Sequence, residues 1–556
     1  MDKRLWQIIF LLSFSLTILL SISCNKEKIN NKKVFRYNQA DGLTSLDPAF
    51  ARNQSNIWAT TQLFNGLVEL DSTMQVIPSV AKKWEISPDG LVYKFYIRKG
   101  ILFHDDPSFP NGKGRELKAS DVEYSFKRII SPKISSSGAW IFNDKVLKIN
   151  DSTFSDSCFK ALNDSVFEIK LAKPFPPFLQ ILTMPYAFIV APEAAEKYGK
   201  DFRSHPVGTG AFKFKTWEEG VGVVFIKNET YWKKDNENQQ LPYLDAVQIN
   251  FIKDKSLAFY EFKRGNLDFL SGIDEGTRDV LINKDGSLST EFKGKFNLEK
   301  VPYLNTEYLG FQTDPSFYSD KTNPILKKEI RQAMNYAINR KELLSYFCNS
   351  LGTPGIAGII PAALPSFDTA IVKGYDFKPE KTRELLKIAG FPNGNGLPEI
   401  KLFTNAVNIH KELAEYLQKE WSKFGIRVKI DINPAATHKE LIDKGNAYFF
   451  RASWLGDYPD GENYLSLFYS KNFTPSGPNK THFLSKEFDL LYEKSLNEID
   501  EQKRFQMYKK MENVMMEESP VIILFYDEVI RLTQTNIKGM KADAMNSLKL
   551  ETVKKY

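Results

Sequence analysis

The stretch 399–430 changes from one hydrophobic periodicity to another and back, and it constrains the fold more than any other part of the chain. Residues 399–404 have the apolar character of a buried strand, and residues 409–424 place their large apolar side chains on one face of a helix. Gly425 ends that helix, and residues 426–430 alternate as in a second strand. A strand, a helix and a strand in this order predict a parallel crossover, so we expect a helix-covered, mainly parallel sheet.

The region 67–205 has a different texture. Short alternating runs such as residues 92–98 are separated by turns that contain Gly and Pro. This pattern is typical of half-buried antiparallel strands joined by tight turns. A chain of 556 residues exceeds what one hydrophobic core supports, so two or three lobes are expected. We therefore predict an α/β lobe over residues 306–525 and an inserted α+β subdomain over residues 67–205.

Periodicity and turn residues predict individual elements elsewhere in the chain. Residues 119–130 are expected to form a helix capped by Ser120, and residues 211–227 a hairpin that turns at Glu219 and Gly220. Further helices are expected at 56–64, 256–264, 324–338, 379–389, 485–496 and 500–517. Further strands are expected at 34–37, 145–150, 166–171, 187–190, 246–251, 267–270 and 521–526.

The N-terminus predicts export. Lys3 and Arg4 precede an apolar run over residues 5–20, which small residues and Cys24 follow. A positive start and a short apolar run are typical of a secretory signal, because a spanning helix needs about 20 apolar residues. A Cys directly after a small residue resembles a bacterial lipobox, in which the Cys carries the lipid, although Ser21 departs from the usual Leu. An uncleaved signal anchor is the alternative.

Composition disfavours several other classes of function. The net charge of +7 comes from 75 basic and 68 acidic residues without any dense Lys/Arg block, so no nucleic-acid partner is expected. The five histidines contain no pair at metal-type spacing and there is no CxxC, so no metal or other cofactor is expected. Cys158 and Cys348 fall in different predicted lobes, which favours two free thiols over a disulfide.

The segment 449–465 carries the candidate site. It begins as a strand, breaks into a turn at Gly456 and returns to an amphipathic run at Tyr464. Arg451 and Asp457 lie six residues apart with Trp454 between them. An extended chain separates two such groups by roughly 20 Å, and a curved loop brings them closer, which suits the two ends of a short zwitterion. A strand-to-loop crossover with a solvated Arg and Asp is the alternative.

Several stretches, taken in order, resemble bacterial ABC-transporter solute-binding proteins of the oligopeptide/dipeptide-binding family (family 5), in their lipoprotein form. In the first half these are DPAFARNQSNIWATTQLFNGLVEL, IPSVAKKWEISPDGLVYKFYIRKGILFHDD and KASDVEYSFKRI. The middle carries PVGTGAFKFKTWEEG followed by NETYW. The second half continues with IRQAMNYAINRKELL, KPEKTRELLKIAGFP and ASWLGDYPDGENYL. The resemblance covers about residues 34–530.

The resemblance implies a fold class, α/β of the type II periplasmic-binding-protein kind. Two α/β lobes are joined by hinge strands, with an extra α+β subdomain inserted in the first lobe, and ligand is trapped between the lobes when the hinge closes. The glycines at 208 and 210 are then expected to permit a tight turn near the hinge rather than to cradle a phosphate. The implied division is signal peptide 1–23, tether 24–33, lobe I 34–66, subdomain 67–205, lobe I again 206–305, lobe II 306–525 and a return to lobe I 526–556.

The resemblance also implies a ligand site. Asp457 matches the family's Asp that holds a peptide α-ammonium, and Arg451 matches an Arg that pairs with the terminal carboxylate of some ligands. The main chain between them is expected to pair with the ligand like an added strand, with an early loop opposite and the indole of Trp454 as a cleft wall. Gly461 stands where the family has Pro. The main-chain residues are Ser453, Trp454, Leu455 and Gly456, and those of the early loop are Arg52, Asn53, Gln54 and Ser55.

The function implied is capture of extracytoplasmic oligopeptides by a lipid-anchored, monomeric, non-enzymatic protein that delivers them to an ABC permease. The lipid on Cys24 is expected to hold it at the periplasmic or outer face of a membrane. One alternative keeps the fold and changes the ligand to an oligosaccharide or another solute. A more remote alternative is a cleft hydrolase that uses Asp457 with Asp460 and Glu462. The simpler account makes Asp457 the ligand group and the other two carboxylates solvated loop residues.

Overall fold

The computed structural model describes residues 32–150 and 153–556, so the signal-like segment and Cys24 lie outside the described residues. No helix in the described ranges is long and apolar enough to cross a membrane. The strands are β1 Val34–Asn38, β2 Val68–Leu70, β3 Val76–Pro78, β4 Ala81–Ile86, β5 Val92–Ile97, β6 Lys148–Asn150, β7 Thr153–Phe154, β8 Phe159–Asn163, β9 Val166–Lys170, β10 Phe212–Glu218, β11 Gly222–Lys227, β12 Ala246–Asn250, β13 Phe269–Ser271, β14 Phe296–Phe311, β15 Thr353–Pro354, β16 Ile400–Asn405, β17 Val428–Asn433, β18 Phe449–Leu455, β19 Val521–Gln534, β20 Ile537–Lys538 and β21 Lys554–Lys555.

The α-helices lie between groups of these strands along the chain. They are Gln54–Leu63, Ala119–Ile130, Trp140–Asn143, Phe178–Ile181, Pro192–Tyr198, Lys255–Lys263, Glu275–Leu281, Lys328–Tyr336, Arg340–Cys348, Pro379–Ile388, Asn408–Ser422, Ala435–Asp443, Glu462–Leu465, Lys486–Ser495 and Glu501–Glu518.

One large sheet runs through both lobes. Its strand order is β10-β11-β12-β1-β13-β19-β14-β18-β16-β17, and β15 adds to β19. The strands from β10 to β13 belong to lobe I, and those from β18 to β17 belong to lobe II. Among the described strands, β14 and β19 alone extend through both halves of this path, so the chain passes from lobe I to lobe II and back along these two neighbouring strands.

The pairing of β14 with β19 is interrupted at the boundary between the lobes. Pro302 pairs with Glu528, and the next pair is Thr306 with Tyr526. Three residues of β14 therefore face only Asp527 on β19, and such a bulge bends a strand pair locally. The expectation of hinge strands that the chain crosses more than once is confirmed, and this bulge is where they bend.

The crossover predicted for residues 399–430 is confirmed. β16 and β17 pair in parallel from Ile400 with Val428 to Asn405 with Asn433, and the helix Asn408–Ser422 connects them. The wider expectation of a mainly parallel sheet is wrong for the rest of lobe II. β18 is parallel to β16 but antiparallel to β14, and β14 is antiparallel to β19, because hinge strands that leave and re-enter a lobe run in opposite directions.

The inserted subdomain has its own sheet but shares its core with lobe I. Strands β4, β5, β9 and β8 form a four-stranded antiparallel sheet. Its buried Phe95 and Phe167 belong to the same hydrophobic cluster as Phe35 and Phe269 of the large sheet. Lobe I and the subdomain therefore fold around one continuous apolar core.

Two local predictions in this subdomain need correction. The helix Ala119–Ile130 begins where expected, but its N-cap is Lys118 rather than Ser120, and the Asp121 carboxylate accepts the Lys118 N–H at 2.8 Å. Residues 187–190 form no strand. The N–H of Ile189 donates to the Asn65 carbonyl in a single cross-link of 3.0 Å, and no ladder continues from it.

The two described cysteines are free. Cys158 is buried in the core of the subdomain and lobe I, and Cys348 is half-buried at the end of the helix Arg340–Cys348. Burial raises the pKa of the Cys158 thiol to about 11 and that of the Cys348 thiol to about 12. Both groups are therefore uncharged thiols at neutral pH, and the prediction of two free thiols is confirmed.

The glycines at 208 and 210 allow close main-chain packing rather than a tight turn. The Gly210 N–H donates to the carbonyl of Leu63 at 2.9 Å, at the end of the helix Gln54–Leu63. A Cβ on Gly210 would lie 2.4 Å from the Leu63 carbonyl carbon, and one on Gly208 would lie 2.2 Å from the Leu63 oxygen. The expected tight turn near the hinge is wrong, because this segment lies in lobe I against a helix end.

We predict that Gly210→Ala lowers the free energy of unfolding by about 1–3 kcal/mol, because the added methyl group meets main-chain atoms that cannot rotate away. Urea unfolding followed by tryptophan fluorescence measures the effect. Gly276→Ala is the matched control, since a Cβ there meets nothing nearer than an Asp274 side-chain oxygen at 3.4 Å. Equal stability of the two variants would contradict the close-packing account.

Candidate binding cleft

A short loop after β18 holds Asp457 in place. The Gly456 N–H donates to the Leu304 carbonyl at 2.7 Å, which ties the start of the loop to the hinge strand β14. The side-chain oxygen of Asn463 accepts the Asp457 N–H at 3.2 Å and the Trp454 indole N–H at 2.9 Å. One amide therefore fixes both the strand end and the residue that carries the candidate carboxylate.

Two other carboxylates of this loop are buried and serve its structure. Asp460 and Glu462 are each 4% exposed. Glu462 accepts hydrogen bonds from the hydroxyls of Tyr458 and Tyr492, and Asp460 accepts one from Tyr508 at 2.8 Å. Burial raises the pKa of both carboxyl groups above their ordinary values. The expectation that these two are solvated loop residues is wrong, because both are buried and bound to tyrosine hydroxyls.

Asp457 faces a cavity of about 150 Å³ at the contact between the lobes. Its side chain is exposed to this space, yet the surrounding protein partly desolvates it and raises the pKa of the carboxyl group above its ordinary value. The side chain of Asn463 and the ammonium of Lys145 act in the opposite direction on that pKa. The other lining residues are Ile57, Thr61, Gln62, Phe64, Asn65, Gly66, Glu69, Leu70, Thr183, Met184, Pro185, Phe188, Ala211, Met545, Ser547, Lys549, Leu550 and Glu551.

Most of the described lining residues other than Asp457 lie in segments that pack with lobe I and its subdomain, and Met545 packs against the core of lobe II. Sequence reasoning missed these walls, because Phe188 lies in an apolar run and Leu550 alternates with charged residues, and both patterns are typical of ordinary core positions. A buried ion pair fixes one wall. Lys233 Nζ lies 2.7 Å from Glu69 and 3.0 Å from Glu551, and these carboxylates raise the pKa of Lys233 against the effect of burial.

The end of β18 has an open main-chain edge. In an antiparallel pair, the N–H and C=O groups of every second residue point to the partner strand. The hydrogen bond of 2.7 Å from the Gly456 N–H to the Leu304 carbonyl shows that, in β18, these are the groups of residues 450, 452 and 454. The N–H and C=O groups of Ser453 and Leu455 consequently point to the other side, and β16 pairs with β18 only at Phe450. No hydrogen bond from the described residues reaches the main chain of Ser453 or Leu455 on that side. The edge stays available between Arg451 and Asp457.

Trp454 is not on the open face of this segment. Its indole is half-buried and packs against the hydrophobic core of lobe II, with its N–H on Asn463. Ser453 and Leu455 point the opposite way, since alternate residues of a strand face opposite sides. The indole therefore helps to anchor the end of β18, and its expected role as a cleft wall stays a prediction.

Arg451 already has a carboxylate partner. Its guanidinium forms a close ion pair with Glu307 on the neighbouring strand β14, and the two side chains are 12% and 11% exposed. The amide of Asn305 also donates to Glu307, at 3.0 Å. The residues that line the Asp457 cavity do not include Arg451, which lines a second, separate cavity.

The early loop is only partly extended. Asn53 is the N-cap of the helix Gln54–Leu63, and its side-chain oxygen accepts the Asn56 N–H at 3.0 Å. Gln54 and Ser55 lie in the first helical turn, so the expected opposing strand over 52–55 is wrong for these two residues. Arg52 is exposed and, like Asp457, lies close enough to Tyr186 to act on the pKa of its hydroxyl.

Gly461 fits a tightly packed site. An added Cβ would lie 2.9 Å from each of three side chains, those of Ile360, Ser366 and Tyr508. Its φ of −62° is one that proline also adopts, so the close side chains, and not the backbone φ, favour glycine over the family's Pro here.

The loop also joins the lobes. Tyr458 is 5% exposed and belongs to the hydrophobic cluster of lobe I and the subdomain, although it follows a lobe II strand. Its ring meets Phe175 of the subdomain edge-on, with 6.5 Å between centroids. The lobes are therefore in contact beside the Asp457 cavity.

Two lobes that share a pair of hinge strands, with a cavity at their contact, define a solute-binding protein of the type II periplasmic-binding-protein fold. The chain belongs to the bacterial extracellular solute-binding proteins, family 5, whose middle region it matches over residues 75–476.

Individual relatives differ in the solutes their names record. The chain is 26% identical over 512 residues to the dipeptide-binding protein of Escherichia coli (strain K12), which covers 89% of each chain. It is 27% identical over 533 residues to heme-binding protein A of Haemophilus influenzae, with 93% of this chain and 92% of the relative covered. The solved structure of the ABC transporter-associated periplasmic binding protein DppA from Helicobacter pylori in complex with peptide STSA superposes with a TM-score of 0.71 at 25% identity, covering 94% of this chain and 97% of that one.

We predict that Glu307→Gln lowers the free energy of unfolding by about 3–5 kcal/mol, because it leaves the Arg451 charge buried without a partner. Replacing both residues, as Glu307→Gln with Arg451→Met, removes the unpaired charge and restores most of that loss. Urea unfolding of both single variants and the double variant forms the cycle that measures this coupling. Strictly additive effects would show that the ion pair contributes nothing.

Proposed function

We propose that this protein captures extracytoplasmic oligopeptides between its lobes and delivers them to an ABC permease. It acts as a monomer, without cofactor and without enzymatic activity. The lipid on Cys24 holds it at the periplasmic or outer face of a membrane, and the tether 24–33 leads into lobe I at β1. The chain divides as 34–66 and 206–305 for lobe I, 67–205 for the subdomain, 306–525 for lobe II and 526–556 for the return to lobe I.

The single observation that carries this proposal is an open strand edge that ends at a carboxylate. An extended peptide can add to that edge by hydrogen bonds to the main chain of Ser453 and Leu455, which reads peptide geometry without reading sequence. The carboxylate of Asp457 then lies at the position of the N-terminal α-ammonium of such a peptide. A charge-assisted contact of this kind contributes about 1.5–3 kcal/mol.

The names of the relatives support peptide as the ligand class. One is a dipeptide-binding protein, and a solved relative holds the peptide STSA. The second candidate is a different solute, which the apolar walls of the Asp457 cavity and a heme-binding relative favour. The hydrolase alternative loses its carboxylate pair, because the oxygens of Asp460 and Glu462 are taken up by tyrosine hydroxyls.

We expect Asp457→Asn to weaken peptide binding by about 2–5 kcal/mol, because the amide cannot neutralise the ammonium in the closed cleft. Isothermal titration calorimetry with a peptide that co-purifies with the wild-type protein measures the loss. Asp164→Asn is the control, since Asp164 is an exposed partner of Lys118 on the subdomain surface and should bind as wild type does. Unchanged affinity of Asp457→Asn would remove Asp457 from the site.

Native mass spectrometry of protein purified without denaturation separates the two candidate ligand classes. We expect a heterogeneous set of bound peptide masses, because main-chain recognition accepts many sequences. A single defined glycan or other solute would support the second candidate instead. Peptides that are shortened during prolonged incubation with the protein would contradict the non-enzymatic proposal.

A further inference from the structure

A second cavity, of about 170 Å³, lies beside the open strand edge at the end away from Asp457. It is bounded by the helix Ala435–Asp443, by β18 and by the loop that carries Lys480. Charged and titratable side chains make up most of its wall. The lining residues are His438, Lys439, Ile442, Asp443, Arg451, Ala452, Ser453 and Lys480.

The charges around this cavity leave one cation over. Arg451 is paired with Glu307, and Lys439 is paired with Asp443. Lys480 is half-buried, and within residues 32–150 and 153–556 its ammonium forms no ion pair and no side-chain hydrogen bond. Burial lowers the pKa of Lys480, the cations of Lys439 and Arg451 add to that shift, and the carboxylate of Asp443 opposes it.

The histidines nearby do not supply a counter-ion or a second cation. The ring of His438 donates through Nε2 to the Arg451 carbonyl at 2.9 Å, and burial together with the Arg451 charge lowers the pKa of this imidazole. Burial lowers the pKa of His410 to about 4, and Arg451 and His438 add to that shift. Both rings are therefore neutral near pH 7, so the lining of this cavity, with Glu307 counted as the partner of Arg451, has one positive charge in excess, and Lys480 is the cation without an ion pair among the described residues.

The position of His438 also limits the open edge. Its ring N–H already donates a hydrogen bond to the Arg451 carbonyl, so an added strand can pair with Leu455 and Ser453 but not with Arg451. A ligand that starts at Asp457 therefore leaves the edge at Ser453, next to the second cavity. At about 3.3 Å per residue this point is reached by the third to fifth residue of an extended peptide.

We propose that Lys480 binds a carboxylate of the bound peptide at the Ser453 end of the cleft. The carboxylate is either the C-terminus of a short peptide or an Asp or Glu side chain of a longer one. This inference rests on the proposed peptide-binding function and identifies a residue that sets ligand preference. Arg451 contributes its Nε–H, which is buried and has no partner among the described residues, while Glu307 neutralises its charge.

The test uses synthetic alanine peptides and titration calorimetry on the full mature chain. One arm compares tri-, tetra- and penta-alanine with their C-terminal amides. The other arm compares amidated penta-alanine carrying Glu or Gln at positions three and four in turn. We expect the wild type to prefer the carboxylate form by about tenfold in one arm, and the arm that responds identifies the source of the carboxylate.

Lys480→Met is expected to abolish that preference while leaving the affinity for the neutral peptides unchanged, which also shows that the variant is folded. Lys480→Arg should retain the preference. Lys444→Met is the matched control, because Lys444 follows the same helix but pairs with Glu440 on the exposed side. A preference that survives in Lys480→Met, or that is absent from the wild type although peptides bind, overturns the inference. Failure of every peptide to bind the wild type overturns the proposed function itself.

Discussion

The pairing of β14 with β19 is the constraint on which the rest of the structure depends. These two strands lie in the middle of the large sheet, where the strands of lobe I meet those of lobe II. Each lobe therefore completes its part of the sheet with strands that also belong to the other lobe. The bulge opposite Asp527 interrupts the ladder where the lobes meet, and a second register shift follows between Glu307 and Tyr308, while pairing continues on both sides. Lobe motion can therefore be concentrated in a few residues, while the two cores stay packed.

Next to this hinge, buried polar contacts fix the ligand-facing loop. Asn463 holds the backbone of Asp457, and the tyrosine-bound carboxylates of Asp460 and Glu462 fix the turn that follows. The loop thus presents one exposed carboxylate from a rigid support, which is the arrangement that a preorganised ion-pairing site needs. From sequence alone, Asp457, Asp460 and Glu462 suggest the carboxylate pair of a hydrolase. The burial of Asp460 and Glu462 shows that these two have a structural role instead.

The fold was predictable where a local pattern decides it. The crossover over residues 399–430 and the helix Ala119–Ile130 follow from periodicity, and the break from strand to loop before Asp457 follows from Gly456. The length of β14 could not be predicted from a local pattern. Burial varies along its first half, around Pro302, while its second half is wholly buried, and pairing with β19 joins the two halves into one strand. The pairing of Arg451 with Glu307 and the lone charge of Lys480 also depend on contacts between distant segments. The helical start at Gln54 was missed because its Asn53 cap was assigned to a loop.

The side chain of Tyr458 follows a lobe II strand but is buried in the core of lobe I, so it stabilises the contact between the lobes. When the lobes separate, its ring must leave the contact with Phe175, and re-exposing an aromatic side chain costs about 1.5–3 kcal/mol. That cost stabilises the closed arrangement over a separated one whether or not ligand is present. The protein itself therefore contributes to closure, so a weakly bound ligand need not supply all of the free energy that holds the lobes together.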